Sequence, residues 1–192
     1  MELVFGTNNE NKIKEINALL TNSIKLLSLK DIGCNEDIPE TANTIEGNAI
    51  LKAKYVYEKY GYNCFADDTG LEIKSLNGEP GVYSARYAGE EKNADKNMDK
   101  VLQKLTTQKD RTAQFKTVVA LIIDGTTTCF EGIVYGEITT EKHGKDGFGY
   151  DPIFKPNGYE ITFAEMPLSD KNKISHRGRA VKKLIDFLNS TK

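Results

Sequence analysis

Blocks of apolar and polar positions predict a strand–loop–helix unit at the start of the chain. Residues 3–5 form a short apolar run ending at Gly6, which is typical of a buried strand. A polar loop follows at residues 7–11, and apolar residues then recur at helical spacing at Ile13, Ile16, Leu19 and Leu20. A second strand is expected within residues 24–29.

A longer helix follows. Thr44 is a suitable N-cap, and Gly61 stands where a glycine ends a helix. Between these two ends, one apolar stripe runs along the helix: Ile45, Ala49, Ala53, Val56 and Tyr60. A short strand at residues 64–66 runs into a polar turn at residues 67–70, and Leu71 and Ile73 restart a strand. Another amphipathic helix is marked by Ala94, Met98, Val101, Leu102 and Leu105.

The second half of the chain has a strong hairpin signal. Apolar, β-branched runs at residues 113–123 and 129–138 flank Asp124-Gly125, a preferred tight-turn pair. A glycine-rich loop, the pair Ile153-Phe154 and a final helical stripe through Val181 and Leu188 follow. Strand–helix units combined with a long hairpin predict a single α/β domain over residues 1–192 with a mixed sheet.

Composition narrows the choice of protein class. The chain has 192 residues, of which 39% are hydrophobic and 28% charged, as in soluble globular proteins. No apolar run approaches the ~20 residues of a membrane span, and the N-terminus lacks a signal-peptide pattern. The three cysteines are widely separated. We therefore expect a cytoplasmic protein with reduced thiols and no membrane association.

The net charge of −2 argues against nucleic acid as a partner, because sequence-independent binding needs a positive surface. A small anion remains possible, since a few local cations suffice for it.

The first candidate for chemistry is the loop at residues 6–12. A loop between a strand and a helix start offers backbone N–H groups and the positive end of the helix dipole to a phosphate. Lys12 adds a cation, and Thr7 and Asn8 add donors. The alternative is a polar turn with an asparagine N-cap.

The second candidate is Asp67-Asp68-Thr69-Gly70. Adjacent carboxylates suit Mg²⁺, which takes one or two carboxylates together with water and substrate phosphates. Strand alternation predicts that one carboxylate faces the ligand and the other braces the turn. The alternative is an aspartate-rich surface turn.

The third candidate, residues 146–152, places Phe148 between Gly147 and Gly149, next to Asp151. An aromatic face beside an acceptor suits a nucleobase. The alternative is a glycine-rich loop whose aromatic rings cover the core.

The fourth candidate is the basic segment at residues 171–179, which contains His176 and Arg177. Cations just before a helix oppose its dipole, so an anionic or carbonyl-bearing partner would explain them. The alternative is a solvated basic face. Together, the four segments supply a phosphate loop, a carboxylate for a metal, a platform for a base and a cluster of cations. These are the groups that binding of a nucleoside triphosphate requires.

The order of these motifs resembles that of the inosine/xanthosine triphosphate pyrophosphatases, which remove non-standard purine nucleotides. The resemblance covers nearly the whole chain. In this sequence it rests on TNNENK at residues 7–12, where Asn8 replaces the usual glycine, and on IPE at 38–40, FADDTGL at 65–71, PGVYSARY at 80–87, FGYDP at 148–152 and SHRG at 175–178.

The resemblance implies an elongated mixed β-sheet flanked by helices, with two lobes around a central active-site cleft, in a protein that is usually a homodimer. It also implies the site residues. Glu40 and Asp68 would hold Mg²⁺, and Asp68 would be the proton acceptor. The substrate would contact Thr7, Asn8, Asn9, Glu10, Asn11, Lys12, Thr69, Phe148, Gly149, Tyr150, Asp151, Lys171, His176 and Arg177.

The implied reaction releases pyrophosphate and a nucleoside monophosphate from ITP, dITP, XTP or dXTP, which keeps these bases out of DNA and RNA. Mg²⁺ would hold a water in line with the α-phosphorus, and Asp68 would take the proton of that water. A donor such as Arg177 or His176 near the 6-keto oxygen would exclude adenine. Two alternatives stay open: a nucleoside triphosphate pyrophosphatase of broader specificity, and a nucleotide-binding module without turnover.

Overall fold

The structure, a computed structural model, describes residues 1–20 and 24–190. Over these residues, one sheet has the strand order β2-β1-β3-β4-β5-β6. The strands are β1 (Glu2–Phe5), β2 (Lys25–Leu27), β3 (Cys64–Ile73), β4 (Thr112–Ile123), β5 (Thr126–Ile138) and β6 (Phe154–Pro156). The α-helices are α1 (Glu10–Asn17), α2 (Ile45–Tyr60), α3 (Ala94–Lys104), α4 (Leu168–Ile174) and α5 (His176–Ser190).

The sheet is mixed, which confirms the predicted class. Strand β1 pairs in parallel with both β2 and β3, whereas β5 and β6 are antiparallel. A parallel pair needs a crossover connection, and α1 and α2 lie on the connections that follow β1 and β2.

Local signals fix several element ends as predicted. The Thr44 side chain accepts a hydrogen bond from the Gly47 amide at 2.9 Å, and Gly61 closes α2 in a left-handed conformation with φ 75°. The β4–β5 turn has positive φ at Asp124 and Gly125, as an Asp-Gly hairpin turn requires.

The chain divides into two compact units, each with its own apolar core. Unit 1 comprises Met1–Asp68, Thr117–Gly132 and Arg177–Lys192, and unit 2 comprises Thr69–Lys116 and Ile133–His176. The core of unit 1 includes Phe5 and Phe65, whose rings stack at 4.7 Å. The core of unit 2 is centred on three aromatic rings, Phe115, Phe154 and Phe163.

Three predicted element boundaries are wrong, and one short helix was not predicted. Strand β3 continues through residues 67–70 instead of breaking there, because its polar side chains find buried partners. Lys171 lies on the unpredicted short helix α4, and His176 begins α5 instead of preceding it. Helix α1 ends at Asn17, before the predicted Leu19 and Leu20. Among the described residues, no helix is both long enough and apolar enough to cross a membrane.

Candidate active site

Two adjacent aspartates of unit 1, Asp67 and Asp68, contact different basic and polar side chains. The Asp67 carboxylate contacts Lys12 Nζ at 2.9 Å and Arg177 Nε at 3.2 Å. The Asp68 carboxylate contacts Lys52 Nζ at 3.5 Å and Asn48 Nδ2 at 3.3 Å. Neighbouring side chains of a strand point to opposite faces, so β3 presents one carboxylate to each face.

Asp67 is held as an anion by a buried network of charges. It is fully buried, and burial alone would raise its pKa, but Lys12 and Arg177 outweigh burial and hold the pKa well below its usual range. The Arg177 guanidinium also pairs with the carboxylate of Glu15 on α1. Asp67 therefore ties β3 to α1 and α5.

Asp68 has the opposite electrostatic balance. Burial raises its pKa, and the attraction of Lys52 and Lys12 does not fully offset that increase. A carboxylate whose pKa is raised by its surroundings is better suited to take a proton than one locked in ion pairs. The structure thus distinguishes the two aspartates on physical grounds, and Asp68 is the candidate base.

Lys52 joins Asp68 to Glu40. Its ammonium lies 2.5 Å from Glu40 Oε1 and is largely buried, with 8% of the side chain exposed. Burial opposes the charge of Lys52, but Asp68 and Glu40 together outweigh burial and raise its pKa. The two carboxylates implied as metal ligands therefore converge on one positive charge.

The convergence of Glu40 and Asp68 fits a cation that binds together with a substrate. No group of three or more His, Cys, Asp or Glu side chains suitable for a metal occurs in residues 1–20 and 24–190. Mg²⁺ usually takes only one or two carboxylates and completes its shell with water and substrate phosphates. The donor set present is therefore sufficient for Mg²⁺ bound with a triphosphate.

The loop of residues 7–12 is ordered by its own side chains. Asn9 caps α1 by accepting from the Asn11 and Lys12 amides at 3.0 and 3.2 Å, and Thr7 Oγ1 accepts from the Asn9 amide. The Asn9, Asn11 and Lys12 amides, which the loop was expected to offer to phosphate, are therefore not free, because internal oxygens already accept from them. The asparagine N-cap of the alternative interpretation is present, while Glu10 and Asn11 are exposed on the first turn of α1.

Asn8 needs no glycine-like conformation. Among the described residues other than glycine, positive φ occurs at Asn77, Lys92 and Asp124, and Asn8 is not one of them. Its side-chain amide instead donates to Asp37 Oδ1 at 3.4 Å. The replacement of glycine at this position is therefore compatible with the backbone of the loop.

Unit 2 holds Phe148, Asp151 and Lys171, three of the residues expected to contact the substrate. Lys171 Nζ lies 2.6 Å from Asp151 Oδ2, and both residues are buried. The same carboxylate oxygen accepts from the Phe148 amide at 2.8 Å, and Lys171 Nζ lies 5.1 Å from the centre of the Phe148 ring. This arrangement fixes the backbone of the loop beneath a partly exposed ring, as a stacking platform for a base requires.

His176 and Tyr150 are packed into unit 2. The His176 ring stacks on Phe115 at 4.6 Å with an interplanar angle of 17°. The Tyr150 hydroxyl donates to the Ser84 carbonyl at 2.6 Å. Thr69 and Gly149 are half-buried at the start of unit 2 and in the glycine-rich loop.

Sequence reasoning missed several members of these networks. Asn48 and Lys52 lie on the buried face of α2 together with Ile45, Ala49, Ala53 and Val56. Two polar residues interrupting an apolar stripe are a signal that could have identified them. Glu15, beside the buried Ile16 on α1, gives the same signal, whereas Phe115 looks like an ordinary core residue.

Comparison with known proteins finds close relatives over the full length of the chain. The model of the Ham1 family matches residues 3–187. The dITP/XTP pyrophosphatase of Flavobacterium johnsoniae is 65% identical over 192 residues, with 100% of both chains covered. The Ham1 protein of Staphylococcus aureus has a TM-score of 0.91 at 40% identity, with 100% of both chains covered. A HAM1 protein of Coxiella burnetii has a TM-score of 0.92 at 38% identity, with 99% of both chains covered.

Proposed function

Since this chain belongs to the Ham1 family, we propose that it hydrolyses non-standard purine nucleoside triphosphates such as dITP and XTP to the monophosphate and pyrophosphate. Relatives named dITP/XTP pyrophosphatase support this substrate class. The observation that carries the chemistry is the Asp68 carboxylate, which has a raised pKa and lies beside Lys52 and Glu40.

The reaction is attack of water on the α-phosphorus. Asp68 takes the proton of the water as the new P–O bond forms, and the bond between the α-phosphorus and the bridging oxygen breaks to release pyrophosphate. Lys12 and Lys52 are the cations nearest Asp67 and Asp68, and their charges favour the negative charge that develops on the phosphate oxygens.

Glu40 and Asp68 are the residues that would hold Mg²⁺. The chemistry supplied by the bound ion is neutralisation of the triphosphate charge. Lys52 already balances both carboxylates, so it keeps them close together before a substrate arrives. We expect pyrophosphate release to require a divalent cation, and an undiminished rate in excess EDTA would contradict this requirement.

Recognition of the base is assigned to unit 2. Phe148 offers a ring for stacking, and its loop is anchored by Asp151 and Lys171. His176 is held in plane by Phe115 and would donate to the 6-keto oxygen of hypoxanthine or xanthine. The Arg177 guanidinium, by contrast, is paired with Glu15 and Asp67. We therefore assign it to holding Asp67, and His176 is the donor toward the base.

A substrate panel tests the proposal. The kcat/KM values for ITP, XTP, GTP and ATP should favour ITP and XTP over ATP by up to about 10⁴-fold, because hydrogen-bonded sites reject analogues that leave buried groups unpaired. Equal values for ITP and ATP would instead support an enzyme of broader specificity. Binding of ITP without any release of pyrophosphate would indicate a nucleotide-binding module.

Two further features are proposed on the resemblance in sequence: a homodimeric state and a cytoplasmic location. The three cysteines, all free thiols, are consistent with a reducing compartment. Sedimentation equilibrium would measure the oligomeric state, and a monomer at micromolar concentration would contradict the first of these proposals.

A further inference from the structure

Asn48 is a buried amide that contacts both parts of the proposed catalytic centre in unit 1. The residue is 1% exposed. Its Oδ1 accepts from the Ala42 amide at 2.9 Å, and its Nδ2 donates to Asp68 Oδ2 at 3.3 Å. One side chain therefore touches the loop that carries Glu40 and the carboxylate of Asp68.

The loop that carries Glu40 depends on helix α2 for its position. Residues 33–43, here named the Glu40 loop, contain no α-helix or β-strand. Near its start, Glu36 Oε1 accepts from Lys59 Nζ at 2.5 Å and from the Tyr60 hydroxyl at 2.8 Å. Near its end, the Ala42 amide donates a hydrogen bond to Asn48 Oδ1. Glu40 thus lies between two attachments to the same helix.

Asn48 and Lys52 act as a pair on one face of α2. They are four residues apart, so their side chains project from the same face. Lys52 contacts Glu40 Oε1 and Asp68 Oδ1, while Asn48 contacts Asp68 through the other carboxylate oxygen. With a cation beside one oxygen and an amide donor on the other, the Asp68 carboxylate is held in rotation as well as in place.

Only a side chain that has both a donor and an acceptor can make these two contacts. An amide carries both in one plane, whereas a carboxylate lacks the donor and leucine, of similar size, lacks both groups. This chemistry gives a reason for a second buried polar residue, beside Lys52, on a helix face whose other buried residues are apolar.

We propose that Asn48 is a positioning residue that sets the Glu40 loop and the Asp68 carboxylate in register for the cation and the attacking water. This inference rests on the proposed function. Partners that orient metal-ligating carboxylates typically contribute about 10- to 100-fold in metal affinity or activity. The same range is expected for Asn48.

Asn97 provides a matched control. It is a buried amide on α3, 3% exposed, and it makes hydrogen bonds of the same kind. Its side chain bonds to backbone groups of unit 2: it accepts from the Ala88 amide and donates to the Ser84 and Ala85 carbonyls. Replacing Asn97 removes a buried amide of equal size without touching a carboxylate of the site.

The experiment compares Asn48→Leu, Asn48→Asp and Asn97→Leu in the full-length chain. Amide hydrogen exchange of the Glu40 loop is measured in the metal-free protein, and kcat, KM and the Mg²⁺ concentration for half-maximal rate are measured with ITP. Asn48→Leu should speed exchange in the Glu40 loop and raise the half-maximal Mg²⁺ concentration about 10- to 100-fold. Asn97→Leu should change neither, although it lowers the melting temperature.

Asn48→Asp separates the two contacts and also serves if Asn48→Leu does not fold. It keeps an oxygen for the Ala42 amide, so exchange in the Glu40 loop should stay slow. It replaces the donor to Asp68 with a second anion, so kcat should fall about 10-fold or more with a smaller change in KM.

Wild-type kcat in Asn48→Asp, or unchanged exchange in a folded Asn48→Leu, would overturn the inference. Faster exchange of the Glu40 loop in Asn97→Leu would do the same, because it would show a general loss of stability. If the wild type released no pyrophosphate from any triphosphate, the proposed function would fail. Hydrogen exchange would still report whether Asn48 orders the loop.

Discussion

At the scale of single residues, Asp67 and Asp68 show how one strand gives two identical side chains different properties. Asp67 is paired with Lys12 and Arg177 and stays charged, whereas the pKa of Asp68 is raised by burial. The sequence predicted that the two carboxylates would separate, because strand alternation is a local property. It could not predict their partners, because Arg177 is 110 positions from Asp67 and only the folded chain brings them together.

Replacing Asp68 with asparagine should abolish turnover and leave the fold intact. Asparagine keeps the size and one oxygen of the side chain but cannot take a proton, and a general base typically contributes about 10²- to 10⁴-fold to the rate. Steady-state release of pyrophosphate from ITP measures the effect, and a circular dichroism melt checks the fold. A variant with near wild-type kcat would remove Asp68 from the role of base.

Replacing Asp67 with asparagine should mainly reduce stability. The change removes the buried counter-charge that Lys12 and Arg177 share, although Arg177 keeps its pair with Glu15, and breaking a buried ion pair costs about 3–5 kcal/mol. Urea unfolding measures the loss. Asp186→Asn is the matched control, because Asp186 pairs with Lys182 on the surface, where an ion pair contributes about 0–1 kcal/mol. Equal losses in the two variants would contradict the structural role of Asp67.

At the scale of elements, the sequence predicted those whose ends are fixed by local chemistry. Thr44 and Gly61 bound α2, and Asp124-Gly125 forms the hairpin turn, because capping and positive φ depend on adjacent residues. The continuity of β3 and the short helix α4 were missed. Both depend on buried polar contacts made elsewhere in the fold, such as those of Asp67 and Lys171.

The two glycines that flank Phe148 test whether close packing against Asp151 matters for the function of this loop. Gly147 and Gly149 both have positive φ, 72° and 62°, so alanine costs about 1–2 kcal/mol at either position. A Cβ at Gly147 would also lie 2.2 Å from Asp151 Oδ2, whereas a Cβ at Gly149 would meet nothing within 4 Å. Gly147→Ala should therefore displace Asp151 from the Phe148 amide.

The expected result is a fall in kcat/KM for ITP of about 10²-fold in Gly147→Ala, since small misplacements of binding groups cost that much. Gly149→Ala should show a much smaller loss at similar stability. Equal kinetic effects in the two variants would mean that backbone strain, and not the contact with Asp151, is responsible.

At the scale of the whole molecule, the sequence predicted the α/β class and the mixed sheet but not how the chain is shared between two units. Strands β3, β4 and β5 each contribute residues to both units. The apolar stripes look alike in the two units, so hydrophobic pattern alone does not show which stripe joins which core.

The accessibility of thiols gives a test of the folded chain as a whole. Cys129 is exposed, whereas Cys34 and Cys64 are buried, and burial raises the pKa of Cys64 to about 12. Because the thiolate is the reactive form, Ellman's reagent should titrate one thiol in the native protein and all three in denaturant. Rapid reaction of two or three thiols without denaturant would contradict the described packing.

The Arg177–Glu15 pair, 162 positions apart, has a consequence for synthesis on the ribosome. Every buried apolar residue of the unit 2 core precedes position 167, whereas the unit 1 core is completed by Leu184 and Leu188. Asp67 therefore acquires its guanidinium partner only after almost all of the polypeptide has been translated. Strand β3, which carries Asp68, therefore lacks its contact with α5 until that last helix has been translated. A nascent chain stalled before α5 should be inactive.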